Sequence, residues 1–353
     1  MRYYIMNKDT KVLFFDIPDN SADFNIVIMG VYNQALIPRP IKSEDDIKSW
    51  LVMRLRLINR NDLANELAMD VSTLRKITEL TNFISVTDTY WVQTDTITRH
   101  WSEISPYTNN LDSNIFDINY TGVKDKAGFR FVPFSYKSWG KENGTIVLYK
   151  RGYKESFVYA EYMASQLGIY LGFDVVEYRM KRTDNFLVSV SPCICSEATG
   201  MYSYQDLGGK NSTIQELIAI DFGEATNISK KKLIDMVVLD FLIMNIDRNV
   251  TNIGVLFNTE TNTLKGLAPL YDFNLSLNAG ERDDDIVTEL LYLGGNQGKE
   301  DKLLEQFEYV LNIDRDYVTR LLTKASSYTF TGTYADTANE VLKHQLKLAC
   351  SLL

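Results

Sequence analysis

Histidine and cysteine are almost missing from this sequence. Its 353 residues hold two histidines, His100 and His344, and three cysteines, Cys193, Cys195 and Cys350. That scarcity excludes a disulfide framework and leaves too few donors for a Cys/His zinc site. Cys193 and Cys195 stand one residue apart, which suits opposite sides of a strand, and free cysteine behaves as a small buried hydrophobe. Positive charge is in deficit: 37 Lys and Arg face 46 Asp and Glu, a net charge of −9. The basic field that drives phosphate neutralisation is absent, so nucleic acid is not an expected direct partner. Lys230, Lys231 and Lys232 form one dense basic run, but they open a helical pattern and read as a solvated turn. No run approaches the roughly 18 apolar residues of a membrane span. The first fifteen residues interrupt their apolar positions with Arg2, Lys8, Asp9 and Lys11, unlike a signal peptide. The expectation is a soluble chain in a reducing, cytoplasmic setting, with no membrane partner.

What is present is ordinary globular material, 45% hydrophobic and 24% charged, and long enough for two lobes around real cores. Apolar residues recur at three- and four-residue intervals from Asp45 to Leu80, which predicts helices. Asn61 to Lys76 has the rhythm of a helix-turn-helix. However, Asp70 falls where the turn glycine belongs, the charge is mixed and no basic arm follows, so a plain helical pair is the better reading. Thr, Val, Tyr and Trp from Ser85 to Trp101 favour extended structure, and a strand-rich region runs on to Cys195. Within it, Gly144 to Tyr149 reads as a strand ending on Lys150, Phe157 to Leu171 as an amphipathic helix, and Val175 to Met180 and Phe186 to Cys193 as strands. After Gly200 the character shifts to helix. Lys232 to Met244 is almost wholly apolar, two short strands follow at Ile253 to Phe257 and Leu264 to Leu267, and the tail from Leu303 is helical in pattern. The predicted organisation is an N-terminal lobe over residues 1–198, with an accessory helical segment at about 45–80, and a helical C-terminal lobe over 199–353.

The sharpest chemical signal is Asn245 to Asn252, NIDRNVTN, between a buried helix and a strand. Asp247 and Asn252 have the Asp-x-x-x-x-Asn spacing of kinases, where the Asp takes the proton of the attacking hydroxyl and the Asn ligates magnesium. Twenty residues on, Asp272 in LYDFNLSL follows a small hairpin, as a second metal-binding carboxylate would. Upstream, Lys150 ends a strand and Glu161 lies in the next helix, the order of the lysine and glutamate that bind and brace nucleotide phosphates. Two lookalikes fail on order or spacing. Asp221 to Gly223 spells Asp-Phe-Gly but precedes the Asp247 loop. Gly294 to Lys299 has three residues between its framing glycines where a Walker loop has four, and Glu300 where Ser or Thr belongs.

Taken together, SVTDTYW (Ser85 to Trp91), TGVKDK (Thr121 to Lys126), LYK (Leu148 to Lys150), EYMAS (Glu161 to Ser165), Asp240 to Asn252 and Ala268 to Leu277 resemble the HipA-like kinases, most of all the single-chain forms. The resemblance implies an α+β, two-lobed protein-kinase-like fold with a mixed, strand-rich N-terminal lobe and a mainly helical C-terminal lobe. It implies ATP- and magnesium-dependent phosphorylation of Ser or Thr on a protein substrate, with a toxin role beside an antitoxin protein. Gly122, Val123, Lys124, Asp125 and Lys126 would form the phosphate-covering loop. Such relatives often read Asp-Arg-His where this chain has Asn249, so the histidine's phosphate contact is either missing or supplied by Arg248. Two other readings use the same fold: a kinase for a lipid headgroup or small molecule, and a nucleotide-binding pseudokinase or docking module.

Overall fold

The structure, a computed structural model, describes residues 1–17, 26–57, 61–111, 135–152, 154–183, 186–210, 213–222, 225–279 and 296–353. The N-terminal unit is a four-stranded antiparallel sheet of β1 (Arg2–Asn7), β2 (Thr10–Asp16), β3 (Val27–Val31) and β4 (Tyr90–Thr94), in the order β3-β2-β1-β4. Against it pack α1 (Glu44–Leu57), α2 (Asn61–Met69) and α3 (Leu74–Thr81), burying Ile5, Leu13 and Phe15 from the sheet with Ile47, Leu51, Leu67 and Ile77 from the helices. Three acidic residues open α1 and Arg54 and Arg56 lie in its last turn, the polarity its macrodipole favours. Asp70 caps the turn between α2 and α3 by accepting a hydrogen bond from the Ser72 amide, so the segment is a helical pair with its apolar face buried.

A short helix α4 (Trp101–Ile104) precedes the second antiparallel sheet: β5 (Ser135–Glu142), β6 (Thr145–Gly152), β7 (Arg179–Arg182) and β8 (Leu187–Pro192), in the order β5-β6-β8-β7. Helix α5 (Glu155–Leu171) lies across β6 and β8. The strand expected over Val175 to Met180 begins only at Arg179. Val176 donates instead to the Leu270 carbonyl and the Tyr178 amide to Ser165 Oγ, so this stretch is extended but bonded to other elements.

The third sheet is β9 (Thr199–Ser203), β10 (Gly254–Asn258) and β11 (Leu264–Leu267), with β10 central. Strand β9 corrects the expected shift to helix straight after Gly200: its partners lie more than fifty residues away, beyond the reach of a local pattern. A short α6 (Ile214–Ile218) leads to α7 (Thr226–Leu242), whose residues from Leu233 onward are all buried. A helix apolar all round belongs at the centre of a lobe, and α7 is packed by α5, α6, α8 (Asn296–Ile313), α9 (Arg315–Ala325) and α10 (Ala335–Leu352). Phe241 and Phe307 stack there at 4.0 Å.

Arg54 ties the N-terminal unit together from inside. Its fully buried guanidinium donates to the Phe83 carbonyl at 2.6 Å, to Asp88 at 2.7 Å and to the Tyr90 carbonyl. Removing one partner of a buried ion pair strands the other and costs about 3–5 kcal/mol. Arg54→Ala is therefore expected to lower unfolding free energy by roughly that amount in urea titration, with Arg54→Lys, which lacks the planar fork, recovering only part of it. A midpoint close to wild type for Arg54→Ala would show the pair to be dispensable.

Candidate active site

The site begins with a hairpin turn. Asn143 and Gly144 both have positive φ, 51° and 80°, as a two-residue type I′ turn demands, and Asn-Gly is the pair that tolerates it best. That turn sets the β5–β6 register, placing Lys137 directly opposite Lys150, while Lys150 also pairs with Ser189 on β8. Directly opposed residues share one face of a sheet, so two lysines project together into the space beneath it.

Helix α5 brings Glu161 under the same sheet. Lys150 Nζ donates to Glu161 Oε1 at 2.7 Å, and Ser189 Oγ donates to the other carboxylate oxygen. Lys150 also bonds Asp272. Asp272 follows β11 on a chain segment held by the Leu270 amide to Asp174 and by the Val176 amide to the Leu270 carbonyl, each at 2.8 Å. Its own amide donates to Tyr178 Oη at 3.2 Å, and its φ of 62° is a left-handed conformation that Asp adopts more readily than most residues.

Opposite this cluster, the loop after α7 is built from amide-bonded turns. Asp240, buried in the last turns of α7, accepts both Arg248 Nε at 2.8 Å and Arg248 Nη2 at 3.0 Å, and Asn245 Nδ2 at 2.8 Å. Asn245 Oδ1 accepts the Asp247 amide, and the side-chain amides of Asn249 and Asn252 both donate to the Asp247 carbonyl at 3.0 Å. Asn252 Nδ2 also approaches Asp247 Oδ2 at 3.3 Å. The half-buried Asp247 carboxylate is thus aimed by a loop with little freedom.

These charges perturb one another. Burial alone lowers the Lys150 pKa, but Asp272 and Glu161 outweigh it and hold the ammonium above its ordinary range. Burial likewise opposes ionised Asp272, yet Lys150 and Lys137 keep it below the carboxylate norm. Lys137 is lowered by desolvation in the cleft, with Lys150 adding to the effect. Asp247 is raised, first by burial and then by the charge of Asp272, while Lys299 pulls it back.

A cavity of about 330 Å³ lies between the second sheet and the loop, lined by Lys137, Lys150, Tyr178, Asn252, Tyr271 and Asp272. Its apolar end is the run Pro192, Cys193, Ile194 and Cys195 with Met201, and α1 closes one side with Trp50, Met53 and Leu57. A magnesium ion suits the donors on its wall. Asp272 offers a carboxylate that is 16% exposed, Asn252 an amide oxygen, and hard oxygen donors with phosphates completing the octahedron are what this ion selects. Among the described residues no group of three or more His, Cys, Asp and Glu side chains could hold a metal by protein donors alone.

Five of the sequence-predicted residues therefore converge: Lys150, Glu161 and Asp272 in one ion cluster, Asn252 on the same cavity, and Asp247 bonded to Asn252. Arg248, expected to supply a phosphate contact, donates to both carboxylate oxygens of Asp240 and to the Asn252 and Tyr271 carbonyls, and so braces the loop. Gly122, Val123, Lys124, Asp125 and Lys126 lie outside the described residues. Asp221 lines neither this cavity nor the one beside Asp247, and Lys299 of the Walker lookalike sits in α8. The sequence reading missed Lys137, although the Asn-Gly turn, counted outward, pairs it with Lys150. It also missed the α1 wall, for which no local signal exists.

Comparison with known proteins gives a family match and structural neighbours. The HipA-like kinase family matches residues 140–319, just over half of the chain. HipA of the Shewanella oneidensis toxin–antitoxin system, solved with HipB and its operator DNA, aligns over 99% of this chain and 96% of its own, with a TM-score of 0.56 and 9% identity. CtkA, a proinflammatory kinase of Helicobacter pylori, aligns over 62% of this chain and 90% of its own, with a TM-score of 0.44 and 17% identity. No curated relative matches the sequence. A family match across the second sheet, α5, the Asp247 loop and the Asp272 turn leads to one conclusion: the chain belongs to the HipA-like kinase family.

Proposed function

We propose that this kinase transfers the γ-phosphate of ATP, with magnesium, to a Ser or Thr hydroxyl of a protein substrate. The observation that carries the proposal is the buried cluster of Lys150, Glu161 and Asp272 on the wall of a cavity that Asn252 also lines. Asp247 accepts the proton of the acceptor hydroxyl and orients it, with Asn252 holding the carboxylate side of the loop in place. Lys150 presents its ammonium to the nucleotide phosphates and Glu161 fixes its position. Lys137, on the same face, adds a second cation. The apolar run from Pro192 to Cys195 is suited to the purine. Asp272 and Asn252 would hold magnesium, which when bound would supply charge neutralisation at the phosphates.

Asn249 is compatible with turnover, because its side chain supports the Asp247 and Thr251 backbone in the place of a histidine; this favours an enzyme over a docking module. A lobe boundary at residues 198 and 199 goes with the proposal, since β8 ends the small sheet and β9 starts the one that leads into the loop's exit strand. The Shewanella HipA was solved with HipB, and the shared fold extends the proposal to a toxin with an antitoxin protein partner. Among the described residues no helix is long and apolar enough to cross a membrane; the proposal of a cytoplasmic site of action rests on the HipA-like family.

Three outcomes are expected. ATP with magnesium should raise the melting temperature, since a ligand bound only by the native state adds RT ln(1 + [L]/Kd), about 2.7 kcal/mol at hundredfold excess. Lys150→Ala should weaken that shift. Lys137→Met should weaken it progressively from adenosine through AMP and ADP to ATP, because its charge acts on phosphates; an equal effect on adenosine would deny it that role.

In a purified transfer assay, Asp247→Ala and Asp272→Ala should each lose about 10²- to 10⁴-fold in rate, with circular dichroism unchanged. Asp221→Ala should transfer phosphate much as wild type does. Near-normal activity in either site variant would refute the assignment.

A proton acceptor must be ionised, so kcat/KM should fall as pH drops through the Asp247 pKa. Because that pKa is raised, the acid limb should lie above the ordinary aspartate range near 3.9. Lys299→Gln removes a charge that pulls the Asp247 pKa down and should move the limb to higher pH; a limb that stays put would contradict this electrostatic coupling.

A further inference from the structure

The stretch between α5 and β7 gives up a strand's ladder for bonds to two other elements. On one side Ser165 Oγ, buried in α5, donates to the Val176 carbonyl at 2.9 Å and accepts the Tyr178 amide at 3.2 Å. On the other, Val175 forms a parallel bridge with Leu270. There Val176 donates to the Leu270 carbonyl and Leu270 to the Asp174 carbonyl, each at 2.8 Å. The stretch is thus a strap that joins α5, which carries Glu161, to the segment that carries Asp272. It ends on Tyr178, 5% exposed, whose hydroxyl oxygen accepts the Asp272 amide at 3.2 Å.

Packing alone does not account for a tyrosine at this place. Its ring meets Phe273 edge to face at 6.3 Å, a contact that phenylalanine would make as well. What the hydroxyl adds is an acceptor for the amide of a residue whose backbone is in an uncommon state. Asp272 has a φ of 62°, a left-handed conformation that a residue with a Cβ keeps only where its surroundings over-determine it. An amide left without an acceptor inside a protein is costly, so the Tyr178 oxygen favours the one backbone state in which the Asp272 amide points at it. That state also fixes the direction of the side chain, which reaches Lys150 through Oδ1 and lines the cavity with Asn252.

We propose that Tyr178 is a positioning residue for the metal site: through the Asp272 amide it holds the Asp272 carboxylate toward the cavity, where magnesium and the nucleotide phosphates would meet it. This rests on the ATP and magnesium reading above and adds to it a residue that acts through Asp272. The strap gives the device its stiffness, because Ser165 ties the Tyr178 backbone to the same helix that supplies Glu161. The position of α5 and the direction of the Asp272 carboxylate are therefore set together, by the strap as well as by Lys150.

The test measures the melting temperature of the full chain with ATP across a magnesium titration, and again with adenosine and no metal. Tyr178→Phe keeps the ring and removes the oxygen. It should raise the magnesium concentration that gives half of the ATP shift about fivefold, the fold-change that one ordinary hydrogen bond supports. The adenosine shift should stay as in wild type. Ser165→Ala loosens the strap without touching the phenol and should move the magnesium midpoint the same way, so it decides the matter if Tyr178→Phe does not fold. A merely structural role would lower the melting temperature of the unliganded chain and leave the midpoint in place. An unchanged midpoint in the folded variant, or an equal loss of the adenosine shift, would overturn the proposal. A wild-type chain whose melting temperature does not respond to ATP with magnesium would overturn the parent reading and this proposal with it, which keeps the two failures distinct.

Discussion

The arrangement of the whole site hangs on one buried cation. Lys150 is 6% exposed at its side chain and lies between two carboxylates that arrive from separate elements, Glu161 on α5 and Asp272 beyond β11. Taking these charges from water is expensive and is offset only when each finds its partner in good geometry. The constraint acts on the backbone: it fixes α5 against the second sheet and draws the Asp272 turn, with its left-handed φ, toward β6. One ammonium against two carboxylates leaves the cluster with an excess negative charge. The neighbouring Lys137 reduces it, which is how the shifts of Lys137 and Asp272 come to be linked.

The second organising feature is polar and equally economical. Asp240 gathers Arg248 and Asn245, and those two residues, with Asn249 and Asn252, set the path of the Asp247 backbone. An arginine so placed uses its planar, multiply donating head as a brace, a role lysine could not fill. That explains how the loop keeps its shape with asparagine at 249. It also separates two faces, one turned to the cavity that Lys150 and Asp272 line and the other to α8.

Residues close together in the chain, or ordered by a known chemistry, were legible from the sequence alone. The Asp247 to Asn252 spacing, Asp272 after its hairpin, the buried helix before the loop, and the order Lys150 then Glu161 all follow from short-range pattern, because a tight loop and the adjoining strand or helix leave few places for those side chains to go. The weak points were of another kind. Strand β9 pairs with β10 across more than fifty residues, so its hydrogen bonds leave no periodic trace. The extended stretch at Val175 to Tyr178 read as a strand because side-chain burial sets the pattern, whereas its donors went to Leu270 and Ser165.

The sequence by itself set out the residues on which the kinase proposal stands: Lys150 and Glu161, then Asp247, Asn252 and Asp272, in kinase order and with no Cys/His set to compete. Tertiary structure alone decided which charges meet. Lys137 joined Lys150 through strand register, Arg248 turned inward to the buried Asp240, and Lys299 and Lys302 share a cavity with Asp247 only because α8 packs against α7. Local propensity acts over a few residues, whereas electrostatic partners are chosen by packing between elements far apart in the chain. For that reason the family could be read from the string of residues, while the surroundings of the candidate site residues had to be read from the fold.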